Sequence, residues 1–148
     1  MEVEIFALCD AATDQAGKLN ILGAFDRIGI RKLPVVYPHC AIALRIRFDR
    51  IEEGSHRVRI NVVNADGQPL TPGFDSQFTV RFPPDGQSVC ANLVLQINSL
   101  KFETPGQYAI DLAIDGRHDK SLPLYILYVK PKEQKTDDES KGTPEPPS

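Results

Sequence analysis

Tryptophan is absent, methionine occurs once, and aromatic residues make up only 7% of the 148-residue chain. So few rings, with no basic stripe among them, leave out the stacking platforms and phosphate contacts of a nucleic-acid binder. A net charge of −3 implies no polyanionic partner. No apolar run approaches the roughly 18 residues of a membrane helix. The three cysteines, Cys9, Cys40 and Cys90, are widely spaced and outside any CxxC pair, which argues against a zinc knuckle or a redox motif. GxSxG, a glycine-rich phosphate loop and HExxH are all missing. Glu2 and Glu4 interrupt the opening apolar residues, so the start does not read as a secretory signal. These absences predict a cytoplasmic protein with reduced thiols, no metal, no cofactor and no enzymatic activity.

What the chain does have is alternation. Tyr108, Ile110, Leu112 and Ile114 alternate with Ala109, Asp111, Ala113 and Asp115. A period of two marks a strand with one buried face. Asp115-Gly116 then turns the chain into a second apolar run at residues 122–129. Similar strands are predicted at residues 3–9, 18–30, 42–48, 58–62, 74–82 and 89–97. The first two form a hairpin turning near residues 14–17. A turn centred on Gln15 sets Asp10 opposite Asn20 and Glu4 opposite Asp26. About eight short strands separated by turn signals indicate an all-β antiparallel sandwich or barrel. Leu100 followed by Pro105-Gly106-x-Tyr108 has the layout of a tyrosine corner, which favours an immunoglobulin-like or fibronectin-like sandwich. The sandwich occupies residues 1–130. Residues 131–148 hold lysines, acids and prolines with no large apolar side chain, the composition of a disordered tail.

Several short motifs run in series: Phe6-Ala7-Leu8-Cys9-Asp10-Ala11, Gly17-Lys18-Leu19-Asn20, Leu22-Gly23, Phe25-Asp26, Pro38-His39, Glu53-Gly54-x-His56 and Asp66-Gly67. The series resembles a family of small uncharacterised bacterial proteins, a domain of unknown function. The resemblance implies a bacterial, cytosolic β-sandwich and brings no catalytic residue with it.

Three constellations are candidate sites. Arg45, Arg47, Arg57 and Arg59 occupy outward positions of two consecutive strands, and arginine forks recognise carboxylates. Neutralisation by Asp49, Glu52 and Glu53 is the simpler fate for that face. Asp10, Asn20, Asp26 and His39 are polar residues in apolar surroundings and mark a small polar site at one end, for a ligand or for catalysis. Asx residues more often bond nearby loop amides. Asp111, Asp115 and Asp119 raise a calcium site for membrane docking, but one hairpin falls short of the six to eight oxygens calcium takes. The reading that follows is a non-enzymatic module binding another protein, by the arginine face or a sheet edge.

Overall fold

The computed structural model describes residues 1–130; the predicted tail at residues 131–148 lies outside them. Nine strands follow one another in the described residues: β1 (Glu2–Gln15), β2 (Lys18–Ala24), β3 (Arg27–Ile30), β4 (Val35–Asp49), β5 (Gly54–Val63), β6 (Phe74–Val80), β7 (Ser88–Phe102), β8 (Gly106–Ile114) and β9 (Arg117–Tyr128). Among the described residues the one helical element is a 3-10 turn at Arg50–Glu52. The chain is all-β. One sheet has the order β2-β1-β4-β7 and the other β3-β9-β8-β5-β6.

The strand count differs from the sequence expectation because residues 18–30 are two strands. Gly23 adopts φ +68, and a Cβ there would sit 2.6 Å from Asp10 Oδ2, so only glycine suits this exit. Past it the chain leaves the first sheet, and β3 joins the second, parallel to β9 with Ile28 beside Ile126. One pairing is therefore parallel where all were expected to be antiparallel. The β1–β2 turn is also shifted. Ala16 and Gly17 both take positive φ, as a two-residue hairpin turn requires. This fixes Gln15 opposite Lys18 and Thr13 opposite Asn20. Asn20 therefore does not face Asp10, and Glu4 lies beyond the reach of β2, among residues of β4.

The two sheets share one core. Ile42, Leu44, Ile46 and Phe48 of β4 meet Ile110, Leu112 and Ile114 of β8 and Leu124 and Ile126 of β9, all buried. Each such side chain contributes roughly 1.5–3 kcal/mol through burial. Tyr108 closes one end. Its hydroxyl donates to the Thr104 carbonyl at 2.6 Å, and its ring packs edge-on against Phe102 at 5.0 Å. The corner expected from the sequence is thus present.

β4 and β7 change their inward positions together. Val35 and Tyr37 give way to Cys40 and Ile42 on β4, and Phe102 and Leu100 give way to Ile97 and Leu95 on β7. Between the switches lie Pro38 and Ser99, the latter at φ +60. On the outer face of the same sheet, Cys9, Ala41 and Ala43 are fully buried beneath Ala12 and Leu19, with Val94 beside them. The β1–β2 hairpin folds back over this face, and Asn92 Nδ2 donates to the Gly17 carbonyl at its tip, 3.1 Å away. Only small side chains on β4 leave room for it.

Candidate functional site

The four arginines do not share a face. β4 and β5 belong to different sheets, so Arg45 and Arg47 are separated from Arg57 and Arg59. Each pair has its own carboxylate, and neither is the one expected. Arg45 Nε reaches Glu4 Oε1 at 3.0 Å, and Arg47 Nε reaches Glu4 Oε2 at 2.6 Å. Arg45 also donates to Asn92 Oδ1 and Arg47 to Ser88 Oγ. Hydrogen bonding from Arg47, aided by Cys90 and Arg45, holds the Glu4 carboxyl down at about 2. On the other sheet Arg57 grips Asp75 with two bonds of 2.7 Å, and Arg59 stands 3.5 Å from it. Asp49, Glu52 and Glu53 lie elsewhere. Glu52 Oε1 accepts from the Asp49 amide and Glu53 Oε2 from the Phe82 amide. The guanidinium groups are thus tied to their own strands' neighbours.

The polar quartet is likewise dispersed. Asp10 lies against Gly23, and Asn20 donates to Thr13 Oγ1 at 3.3 Å. Asp26 stands 3.6 Å from Arg27 on the surface. His39 Nδ1 is 3.0 Å from Asn98 Oδ1 across the β4–β7 pair. No bond joins any two of the four. The acidic trio separates as well: Asp111 accepts from Ser121, while Asp115 accepts from the Arg57 amide and His56. Among the described residues no three His, Cys, Asp or Glu side chains converge on a point. All three thiols are free, and burial pushes Cys40 up to about 11.

One titratable pair was not foreseen. His56 Nδ1 lies 2.7 Å from Asp115 Oδ2 and its Nε2 lies 2.6 Å from the Glu52 carbonyl. The ring packs beside Phe48 at 4.7 Å. Burial is the largest influence and opposes the charge on His56, but the carbonyl and carboxylate partners together raise its pKa. Both ring nitrogens face acceptors, so the protonated form fits best. The two residues are 59 positions apart, and nothing local in the sequence joins them.

The open feature of the molecule is one side. β7 ends the first sheet and β6 ends the second, and no described strand pairs with the outer edge of either. Leu93, Leu95 and Ile97 of β7 and Phe74 and Phe78 of β6 point inward yet remain partly exposed. Between the two strands lies a cleft of about 320 Å³, walled by Ile42, Ile60, Phe74, Leu95 and Ile97 and bounded by Pro72. From Ser88 to Leu100 the chain has no charged residue, no proline and no glycine. The signal lies in the sequence itself, in an apolar alternation with no charge, proline or glycine to protect an edge.

A family model matches residues 4–127. The chain belongs to DUF6941, a family of unknown function. Membership agrees with the resemblance and adds no activity to the geometry. No curated protein matches the chain significantly. Among solved structures it is similar to the Pseudomonas fluorescens alkylpurine DNA glycosylase AlkC bound to DNA containing an abasic site analog, at 9% identity and TM-score 0.43. That match covers 69% of this chain, which spans only 28% of the glycosylase. Among the described residues no helix is long and apolar enough to cross a membrane.

Proposed function

We propose that this DUF6941 protein is a non-enzymatic binding module that takes an extended segment of a protein partner along the free edge of β7. The frame is an immunoglobulin- or fibronectin-like sandwich, a reading supported by the tyrosine corner and the core shared by two sheets. The parallel β3–β9 pair is its departure from that pattern. Three free thiols support a reducing, cytoplasmic setting.

The observation that carries the proposal is the uncharged edge itself. Free strand edges present unpaired amides and carbonyls, and proteins normally blunt them with charge, proline or shortness. β2 carries Lys18 and Gly23, β3 has four residues, and β6 carries Asp75 between Pro72 and Pro83. β7 has 15 residues and none of these devices before Lys101. An added strand gains main-chain hydrogen bonds from the edge and places alternate side chains in the cleft.

The test is a photo-crosslinking residue at Gln96, which is exposed on β7, in the cells that make the protein. Adducts to a defined extended peptide of a partner at Gln96, with none from a probe at Lys120, are expected. Adducts from Lys120 or the arginines alone overturn the edge as the site.

A further inference from the structure

The strand that offers the edge has a particular internal order. Around Val94 the residues run Cys90, Ala91, Asn92, Leu93, Val94, Leu95, Gln96, Ile97, Asn98. Read outward from Val94 in both directions, the polarity repeats. Leu93 matches Leu95, Asn92 matches Gln96 and Ala91 matches Ile97, and the match ends at Cys90 and Asn98, a thiol against an amide.

A strand that pairs antiparallel with its own copy about a two-fold axis needs this property. Each residue then faces its mirror position, so apolar must meet apolar and amide must meet amide. A strand serving an unrelated partner has no such requirement. Charge adds a second condition. A charged residue near the axis would meet its own copy at close range, and β7 has none from Ser88 to Leu100. The segment beyond residue 130 is a poor occupant for the same edge, since it has no large apolar side chain to fill the row.

We infer that β7 pairs with β7 of a second copy of this chain, antiparallel and centred on Val94. The inference rests on the strand-addition reading and names its partner. In this register Leu93 and Leu95 of the two copies lie side by side on the inner face, next to both clefts. Gln96 of one copy faces Asn92 of the other, whose side chain Arg45 already holds at 3.0 Å. The two four-stranded sheets become one continuous sheet, and the edge disappears.

Register and partner are tested together by cysteine cross-linking of the full chain. In a Cys90→Ser background the remaining thiols, Cys9 and Cys40, are buried. Two copies of position 94 lie about 4.5–5.5 Å apart between Cα atoms, inside the range a disulfide spans. Two copies of position 96 lie four residues out of step, about 13 Å apart at the usual rise per residue. Val94→Cys is expected to cross-link under mild oxidation and Gln96→Cys to stay uncrosslinked. Sedimentation of the unmodified chain is expected to show a dimer. Gln96→Lys, which sets a lysine near Arg45 of the other copy, is expected to weaken association at least about tenfold without unfolding. A monomer up to about 100 µM overturns the self-pairing and leaves the strand-addition proposal to its own crosslinking test. A dimer in which Gln96→Cys cross-links and Val94→Cys does not overturns the register. A dimer unaffected by Gln96→Lys and by either cysteine places the contact elsewhere and overturns the inference.

Discussion

β7 and β8 are written in the same alphabet and end in opposite circumstances. Each carries an inward apolar row at every second position, Leu93, Leu95 and Ile97 in one and Ile110, Leu112 and Ile114 in the other, with small or polar residues between them except for Val94. β8 lies between β5 and β9, and its inward row is buried. β7 has β4 on one side only, and its inward row is partly exposed. Period two fixes which face a side chain takes. It does not fix how many neighbours the strand has. What distinguishes the two is what surrounds the apolar row. β8 carries Asp111 and is followed at once by Asp115, both bonded within the domain. β7 carries amides, a thiol and two hydroxyls, with no charge until Lys101.

The largest effect should come from the buried strand. Leu112→Ala removes a fully buried side chain and should cost about 2–5 kcal/mol in urea unfolding. Leu95→Ala, beside the cleft, should cost well under that in dilute protein, where water already reaches it. Equal costs would remove the contrast between the two strands. Tyr108→Phe should cost about 1 kcal/mol, the worth of the bond to Thr104. Equal stability of that variant would show that the corner holds by ring packing alone.

Next comes the His56–Asp115 tie at the end of β8. The pKa of His56 is raised above its ordinary 6.5 in the folded chain. Its contribution is therefore complete below 6.5 and fades as pH rises through the folded value. Asp115 acts in the opposite sense. Burial, the largest influence, opposes its charge, but His56 and the Arg57 amide outweigh it and lower its pKa below 3.8. Its contribution is present above 3.8 and lost as pH falls through the folded value. A melting series from about pH 5 to about pH 9 should show a fall on the alkaline side that His56→Gln flattens. The same slope in both proteins would contradict the assignment. The smallest effect belongs to the exposed edge, where Gln96→Lys should change monomer stability by less than about 0.5 kcal/mol.

Much of this fold was legible. The alternation of residues 42–48, 58–62, 74–82, 89–97 and 108–114 located β4 to β8, because each has one face in the core. The corner at Tyr108 was legible because its turn and ring lie within a few residues of each other. The split of residues 18–30 was not, since Gly23 breaks the strand by a backbone angle that the apolar pattern does not register. The arginine face failed for a related reason. Consecutive strands are ordinarily neighbours in one sheet, whereas the 3-10 turn at Arg50–Glu52 carries this chain from one sheet to the other. Glu4 is distant in sequence from the arginines of β4, and Asp75 from those of β5, and each carboxylate meets its pair only through the pairing of strands. The His56–Asp115 pair likewise exists only once β5 and β8 are side by side.

The account turns on whether the β7 edge is open in the single chain and closed by association. Amide hydrogen exchange between residues 90 and 98 measures this directly, at high protein concentration and after about 100-fold dilution. Alternate amides of β7, those facing away from β4, should exchange freely in dilute protein and gain protection when concentrated. The amides of β6 should not change. Protection of the whole of β7 that is the same at both concentrations would mean that the edge is already covered within one chain, and would contradict the account.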